Sequence, residues 1–472
     1  MNEVHHHRKV LGVGDMVLFS VSAILLLDTL AAGASIGVQS VFWWLFLGIV
    51  FFVPYALICS EMGTTYPEQG GIYAWVRDAF GGRWASRVTW AYWINTAVWL
   101  PAIYTLFSGV LAQLFLPGLP LYVQIGIAIV LSWLSVAINV ISLNIGKLVP
   151  NLGAIVKTIV FVAIIGGAFH YSRLHGVAND FSPGNIIPEW GQNLKYISVI
   201  IYGMLGFELV SAGSAEMNDP RRDVPRAILA SGVLIIVLYS LATIALLTAF
   251  PASDIDVVEG LVDAMYVFYG DTGAGAIFAM CLGVGALYTF FANGVTWALG
   301  CNRAAAEAAI EGELPPVFGK EHRVYETPVG AAVLMGIVST VILLVYGVLA
   351  KNNADLFWSL FAFSAVIFLL PYIGLVLAFR EMRRRDPDRE RPFRVPGGAV
   401  VANLLSLVCA AILALAIVFL VYTPEDGLQW PVLIGAVVVT LLGEAVIRYA
   451  ESRRSTLCQA GEDTERARGA DG

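Results

Sequence analysis

Three ionisable side chains lie deep in apolar stretches long enough to cross a bilayer: Asp28, Lys157 and Glu208. A charge at mid-membrane costs about 2.5–3.5 kcal/mol on insertion scales, so such a residue faces a polar cavity, finds an internal partner or carries a proton. Two of the three sit beside glycines. Asp28 stands in Ile24-Leu-Leu-Leu-Asp28-Thr29-Leu-Ala-Ala-Gly33-Ala-Ser-Ile-Gly37. Glu208 closes Tyr202-Gly203-Met204-Leu205-Gly206-Phe207-Glu208. Glycine with an acid predicts a helix break in each segment. Broken helices free backbone N–H and C=O groups that can hold a polar solute, a device of secondary transporters.

At the first break the amides of Ala31, Ala32, Gly33 and Ala34 present a positive helix end suited to a carboxylate. Gly33 and Gly37 also form a G-x-x-x-G pair, whose plainer reading is close helix packing, and the two readings are compatible. Asp28 either meets a substrate amine or coupled proton, or holds the break open as an internal hydrogen-bonding group. At the second break the carbonyls of Tyr202, Gly203 and Met204 are placed to accept an ammonium group. Gly206 supplies the flexibility and Tyr202 a ring to close over the solute. Glu208 is either a protonatable coupling group or a structural acceptor. Lys157 is too deep to snorkel freely and is a coupling candidate, a structural tether being its plainer role. Trp93, Asn95 and Trp297 lie at depths from which they reach a central solute. Many of the 12 tryptophans belong instead to interfacial belts.

The elements that position these residues are membrane helices. The 472 residues are 58% apolar and 13% charged, against roughly 45–50% and 25% in soluble proteins. Twelve apolar spans are predicted, at 13–37, 41–60, 88–115, 121–142, 147–169, 193–215, 226–250, 273–300, 328–349, 355–379, 399–422 and 430–449. Short surface helices fit the turns after the second and eighth spans. Arginine and lysine collect on one side, at Arg8–Lys9, Arg77–Arg87, Arg221–Arg226, Arg303–Arg323, Arg380–Arg394 and Arg448–Arg454. The loop 251–271 on the other side carries Asp254, Asp256, Glu259, Asp263 and Asp271 and no base. The positive-inside rule then puts both termini in the cytoplasm of a multi-pass plasma-membrane protein. Residues 1–10 read as a cytoplasmic tail whose His5–His7 have no assigned role, 381–398 as a basic linker, and 451–472 as a disordered tail. The broken spans are the first and sixth. Five helices starting at each, about 11–170 and 193–380, run with opposite polarity and form an inverted repeat.

Soluble-enzyme motifs are absent. Five scattered cysteines form no C-x-x-C, and His170, His175 and His322 lie at span ends without ligand spacing. The reading is therefore no enzyme, no cofactor, no metal and no nucleic-acid partner. A sensor that binds amino acids without moving them remains the non-transport alternative.

Taken in order, three motifs make the chain similar to the amino acid–polyamine–organocation superfamily of permeases over roughly 11–450. They are Ser60-Glu-Met-Gly-Thr-Thr-Tyr-Pro-Glu-Gln-Gly-Gly-Ile-Tyr73-Ala-Trp75; Gly206-Phe207-Glu208 with Glu216-Met-Asn-Asp-Pro220-Arg-Arg-Asp-Val-Pro225; and Asn302-Arg303 through Glu311-Gly-Glu-Leu-Pro315 to Thr327-Pro328. The resemblance implies an all-α, LeuT-like 5+5 inverted repeat with broken helices 1 and 6 and two peripheral helices. It implies that Tyr202 occupies the aromatic gate position of arginine–agmatine exchangers, Glu208 their acid, and Trp297 a substrate-lining position. It implies that Lys157 stands where sodium-dependent members hold sodium, which favours proton coupling or exchange. Where many members carry a G-S-G-like stretch, this chain has Ala31-Ala32-Gly33-Ala34 after Asp28. Thr296-Trp297-Ala-Leu-Gly resembles the glutamate–GABA exchangers. The expected function is secondary-active transport of an amino acid, by proton-coupled symport or exchange. A polyamine or cationic amine transporter and an amino acid–amine antiporter are the alternatives.

Overall fold

Glycine and proline punctuate a chain that is otherwise almost entirely helical. The computed structural model describes residues 12–27, 29–66, 71–141, 143–188, 194–208, 219–424 and 427–470. The predicted site residue Asp28 and the histidines His5–His7 lie outside this set. Extended pairing among the described residues is confined to Tyr422–Thr423 against Gly427–Leu428.

Ten of the described helices are long and apolar enough to cross a membrane. They are α3 (Gln39–Thr65), α5 (Gly82–Phe115), α6 (Leu121–Ile141), α7 (Leu143–His175), α9 (Pro220–Ala249), α11 (Gly273–Ile310), α12 (Val329–Leu349), α13 (Asn353–Arg385), α14 (Gly398–Val421) and α15 (Trp430–Ala470). The spans predicted at 13–37 and 193–215 are not continuous helices. Helix α1 (Val13–Ile24) stops before α2 (Leu30–Ala34), and α8 (Leu194–Tyr202) stops at the Gly203 turn. A surface helix follows the second span as expected, α4 (Ile72–Phe80). The turn after α11 is different: α11 runs on to Ile310 through the alanine-rich Ala304–Ala309, and the described residues 311–328 form turns without a helix. Helix α10 (Gly260–Tyr269) lies in the acidic loop. There, burial and the nearby Glu259 and Asp256 raise the Asp263 carboxyl to about 6.

The middle of the bundle is α5 packed along α13, with α11 against α5 and α7, and α9 against α1, α2, α3 and α7. Helix α3 contains a π turn at Gly48–Phe52 just before Pro54. Proline has no N–H and its ring clashes with the carbonyl four residues back, so a widened turn accommodates it and resets the helical face that follows. Outer faces remain apolar, as lipid contact requires: Val341, Leu344, Val345 and Val348 of α12 are all exposed.

Helix α15 runs on through 451–470, where glutamate, arginine and alanine are good helix formers. The basic linker is shorter, because α13 extends to Arg385, and it is fastened. Glu61, 1% exposed, accepts from Arg383 at 2.5 and 2.8 Å, from Arg391 Nε at 3.0 Å and from the Val395 N–H at 2.7 Å.

Candidate functional site

The two breaks meet face to face. Helix α1 ends at Ile24, and what would be the next rung of its hydrogen-bond ladder is supplied by another element. Tyr239 of α9 donates its hydroxyl to the Ile24 carbonyl (2.8 Å) and accepts from the Leu26 N–H (2.7 Å). Beyond the gap, Leu30 N–H donates to Leu27 O (3.3 Å) and Gly33 N–H to Thr29 O (3.0 Å). The Gly33 amide is thus engaged inside the chain, which narrows the predicted donor set. Ala31, Ala32, Gly33 and Ala34 are all buried. A Cβ at Gly33 would meet only Trp44, at 3.8 Å, so tight packing is not what requires this glycine. Gly37 is required by its backbone, at φ +88°.

At the second break α8 tightens into i to i−3 bonds: Met204 N–H donates to Ile201 O (3.1 Å) and Leu205 N–H to Tyr202 O (3.2 Å). Gly206 lies at φ +131°, and a Cβ there would come within 2.8 Å of Ile24 Cγ1. Gly203 sits beside the Tyr239 hydroxyl, 3.4 Å from where its Cβ would be.

Past this break is Glu208, 2% exposed. Tyr55 of α3 (2.6 Å), Tyr372 of α13 (2.8 Å) and Tyr92 of α5 (3.1 Å) all donate to its carboxylate. Tyrosines at mid-span are informative because a buried phenol hydroxyl needs a partner. That signal was available in the sequence for Tyr55, Tyr239 and Tyr372, and none was predicted. The ring of Tyr202 packs 5.0 Å from both Phe361 and Phe368 of α13. Phe368 continues the aromatic wall to Trp297 (5.6 Å) and Tyr372 (4.8 Å). Trp297 also faces Tyr92 at 6.0 Å and Trp99 at 6.4 Å.

Trp93 has partners of its own. Its indole donates to Asn302 Oδ1 (3.0 Å) and its ring stacks edge-on to Phe318 (4.8 Å), toward the loop after α11. Its neighbour Tyr92, about 100° round the helix, is the residue that reaches Glu208 and Trp297. Asn95, three residues on from Tyr92, is buried with Oδ1 unpartnered among the described residues. The same holds for Trp99 Nε1, Thr29 Oγ1 and Asn293 Nδ2. Lys157, 1% exposed on α7, donates to Asn293 Oδ1 of α11 at 2.9 Å, one turn before Trp297. These helices approach closely at Gly153, where a Cβ would lie 2.7 Å from that of Ala292.

A model of the amino acid permease family matches residues 11–442. The chain belongs to that family. As a permease of the amino acid–polyamine–organocation superfamily it is a multi-pass membrane protein. Its relatives include a probable agmatine/putrescine antiporter of Lactococcus lactis, 33% identical over 440 residues, or 92% of this chain and 93% of the relative. An uncharacterised transporter of Legionella pneumophila is 32% identical over 413 residues, 85% of this permease and 87% of that protein. More distant is a glutamate/gamma-aminobutyrate antiporter of Lactococcus lactis, 22% identical over 438 residues, 88% of the chain and 85% of the relative.

Proposed function

We propose that this permease is a sodium-independent antiporter that exchanges small cationic amines, by alternating access around the two helix breaks. The observation that carries the reading is Glu208: a carboxylate buried beside a helix break, held by hydroxyls from three other helices and flanked by aromatic rings. A carboxylate and aromatic faces together suit an ammonium or guanidinium group better than an anion. The 33% identity to a probable agmatine/putrescine antiporter supports the same substrate class. Thr29, Asn95, Trp99 and Asn293 bring buried polar atoms that a polar solute can pair.

In this reading the chain has twelve spans, ten forming an inverted repeat and α14 with α15 at the periphery. It lies in the plasma membrane with both termini in the cytoplasm. Tyr202 closes on Phe361 and Phe368 over the solute. Glu208 exchanges a proton as its tyrosines regroup, and Lys157 supplies the fixed positive charge that a bound sodium ion would otherwise give. Asp28 remains a candidate partner for the substrate amine. A zwitterionic amino acid is the second reading, favoured by the amides of Ala31 and Ala32 at the start of α2.

Purified protein in liposomes loaded with unlabelled putrescine or agmatine tests the proposal. Labelled putrescine should enter only loaded vesicles, with or without sodium. Uptake into empty vesicles driven by a pH gradient would instead indicate symport. Counterflow with glutamate or gamma-aminobutyrate and none with amines would overturn the amine assignment.

A further inference from the structure

We infer that Tyr239 is a positioning residue for transport: its hydroxyl bridges the gap in the first broken span and sets it against the second. In a continuous helix the Leu26 N–H would bond the carbonyl of Ser22, and the Ile24 carbonyl would accept from residue 28. Helix α1 stops at Ile24, and in a membrane interior an unsatisfied backbone group is costly. Tyr239 takes up both groups with a single oxygen, donating to Ile24 O at 2.8 Å and accepting from Leu26 N at 2.7 Å. The place where the helix stops is thereby defined by α9 as well as by the residues of the gap.

The phenol ring is itself held. Trp44 of α3 stacks on it, with centroids 4.4 Å apart and planes 11° from parallel, and the Trp44 indole donates to Thr243 Oγ1, one turn beyond Tyr239, at 3.0 Å. Phe161 of α7, one turn after Lys157, meets the ring edge-on at 6.1 Å. Gly203 of the second break lies beside the hydroxyl, which is 3.4 Å from where its Cβ would be, an ordinary contact. Ile24 is therefore touched twice, by Tyr239 on its carbonyl and by Gly206 on its side chain. One hydroxyl thus sets the register of both breaks. Its hydroxyl acts on the backbone of the first break, at Ile24 and Leu26.

The inference rests on the proposed transport reading for its functional arm only. Tyr239→Phe keeps the ring on Trp44 and removes the hydroxyl. Tyr346→Phe is the control, because Tyr346 also donates to a backbone carbonyl, that of Pro431 at 2.9 Å, but far from the breaks. In amide hydrogen exchange, peptides covering 24–27 should exchange at least tenfold faster in Tyr239→Phe, with peptides from α13 unchanged. In putrescine counterflow, KM should rise about tenfold while turnover at saturation stays within about twofold. Tyr346→Phe should move neither. Equal exchange at 24–27 in wild type and Tyr239→Phe overturns the inference. So does a loss of turnover with KM unchanged, which marks a protein damaged as a whole. If the wild-type protein moves neither putrescine nor agmatine, the proposed substrate class has failed, and the hydrogen-exchange arm alone decides this point.

Discussion

At the scale of single residues, the site's chemistry concentrates on Glu208. Three hydroxyls from α3, α5 and α13 donate to it, so its charge state is coupled to the relative position of three helices. Glu208→Gln preserves size but turns half of the acceptor into a donor, which cannot face three hydroxyl donors as a carboxylate does. Amine counterflow should fall by at least tenfold, and whatever exchange remains should lose its dependence on pH. A pH profile of counterflow that matches wild type would remove Glu208 from coupling. Charged residues in apolar runs were readable because lipid penalises them so heavily, and Lys157 and Glu208 are both buried among polar partners. Which aromatic side chain turns inward was not readable. Trp93 and Tyr92 are adjacent in one apolar run, and only the azimuth of α5, set by its packing on α13 and α11, separates them. Tyr239 was hidden for a different reason: its partners are 213 and 215 residues away.

At the scale of elements, the two breaks are a joint. The sequence located them well because glycine and an acid inside a hydrophobic span conflict with a straight helix. The glycines differ in what they require: among the described residues a Cβ at Gly33 would make an ordinary contact with Trp44 and its amide is engaged, whereas Gly206 has neither an ordinary φ nor room. Gly206→Ala is therefore expected to be severe. The new methyl meets Ile24 at 2.8 Å on a backbone at φ +131°, a conformation that costs an L-residue about 1–3 kcal/mol before any clash. Counterflow should drop below a tenth of wild type with the protein still inserted. Gly33→Ala, facing only Trp44, should retain most of it. Comparable loss in both variants would mean that the contact with Ile24 is not what the second break depends on.

Across the whole molecule, a buried carboxylate, Glu61, ties distant parts of the chain together at the basic side. Glu61 lies at the end of α3, and its partners Arg383, Arg391 and Val395 belong to α13 and the segment leading to α14. Composition alone had marked this segment as a free basic linker, because positive-inside bias accounts for its arginines without any partner. A buried acid some 320 residues earlier is the part that linear reading could not pair. Arg383 and Arg391 both have side chains largely shielded from water, so removing the shared carboxylate leaves two guanidiniums without their counter-charge. Breaking a buried ion pair from one side typically costs about 3–5 kcal/mol. Glu61→Gln should therefore lower the melting temperature of the detergent-solubilised protein clearly, and limited trypsin digestion should cut after Arg389 sooner. Arg394→Gln, an exposed arginine of the same segment, should change neither. If Glu61→Gln melts with wild type and the cleavage rate is unchanged, the fastening of this segment contributes nothing to stability.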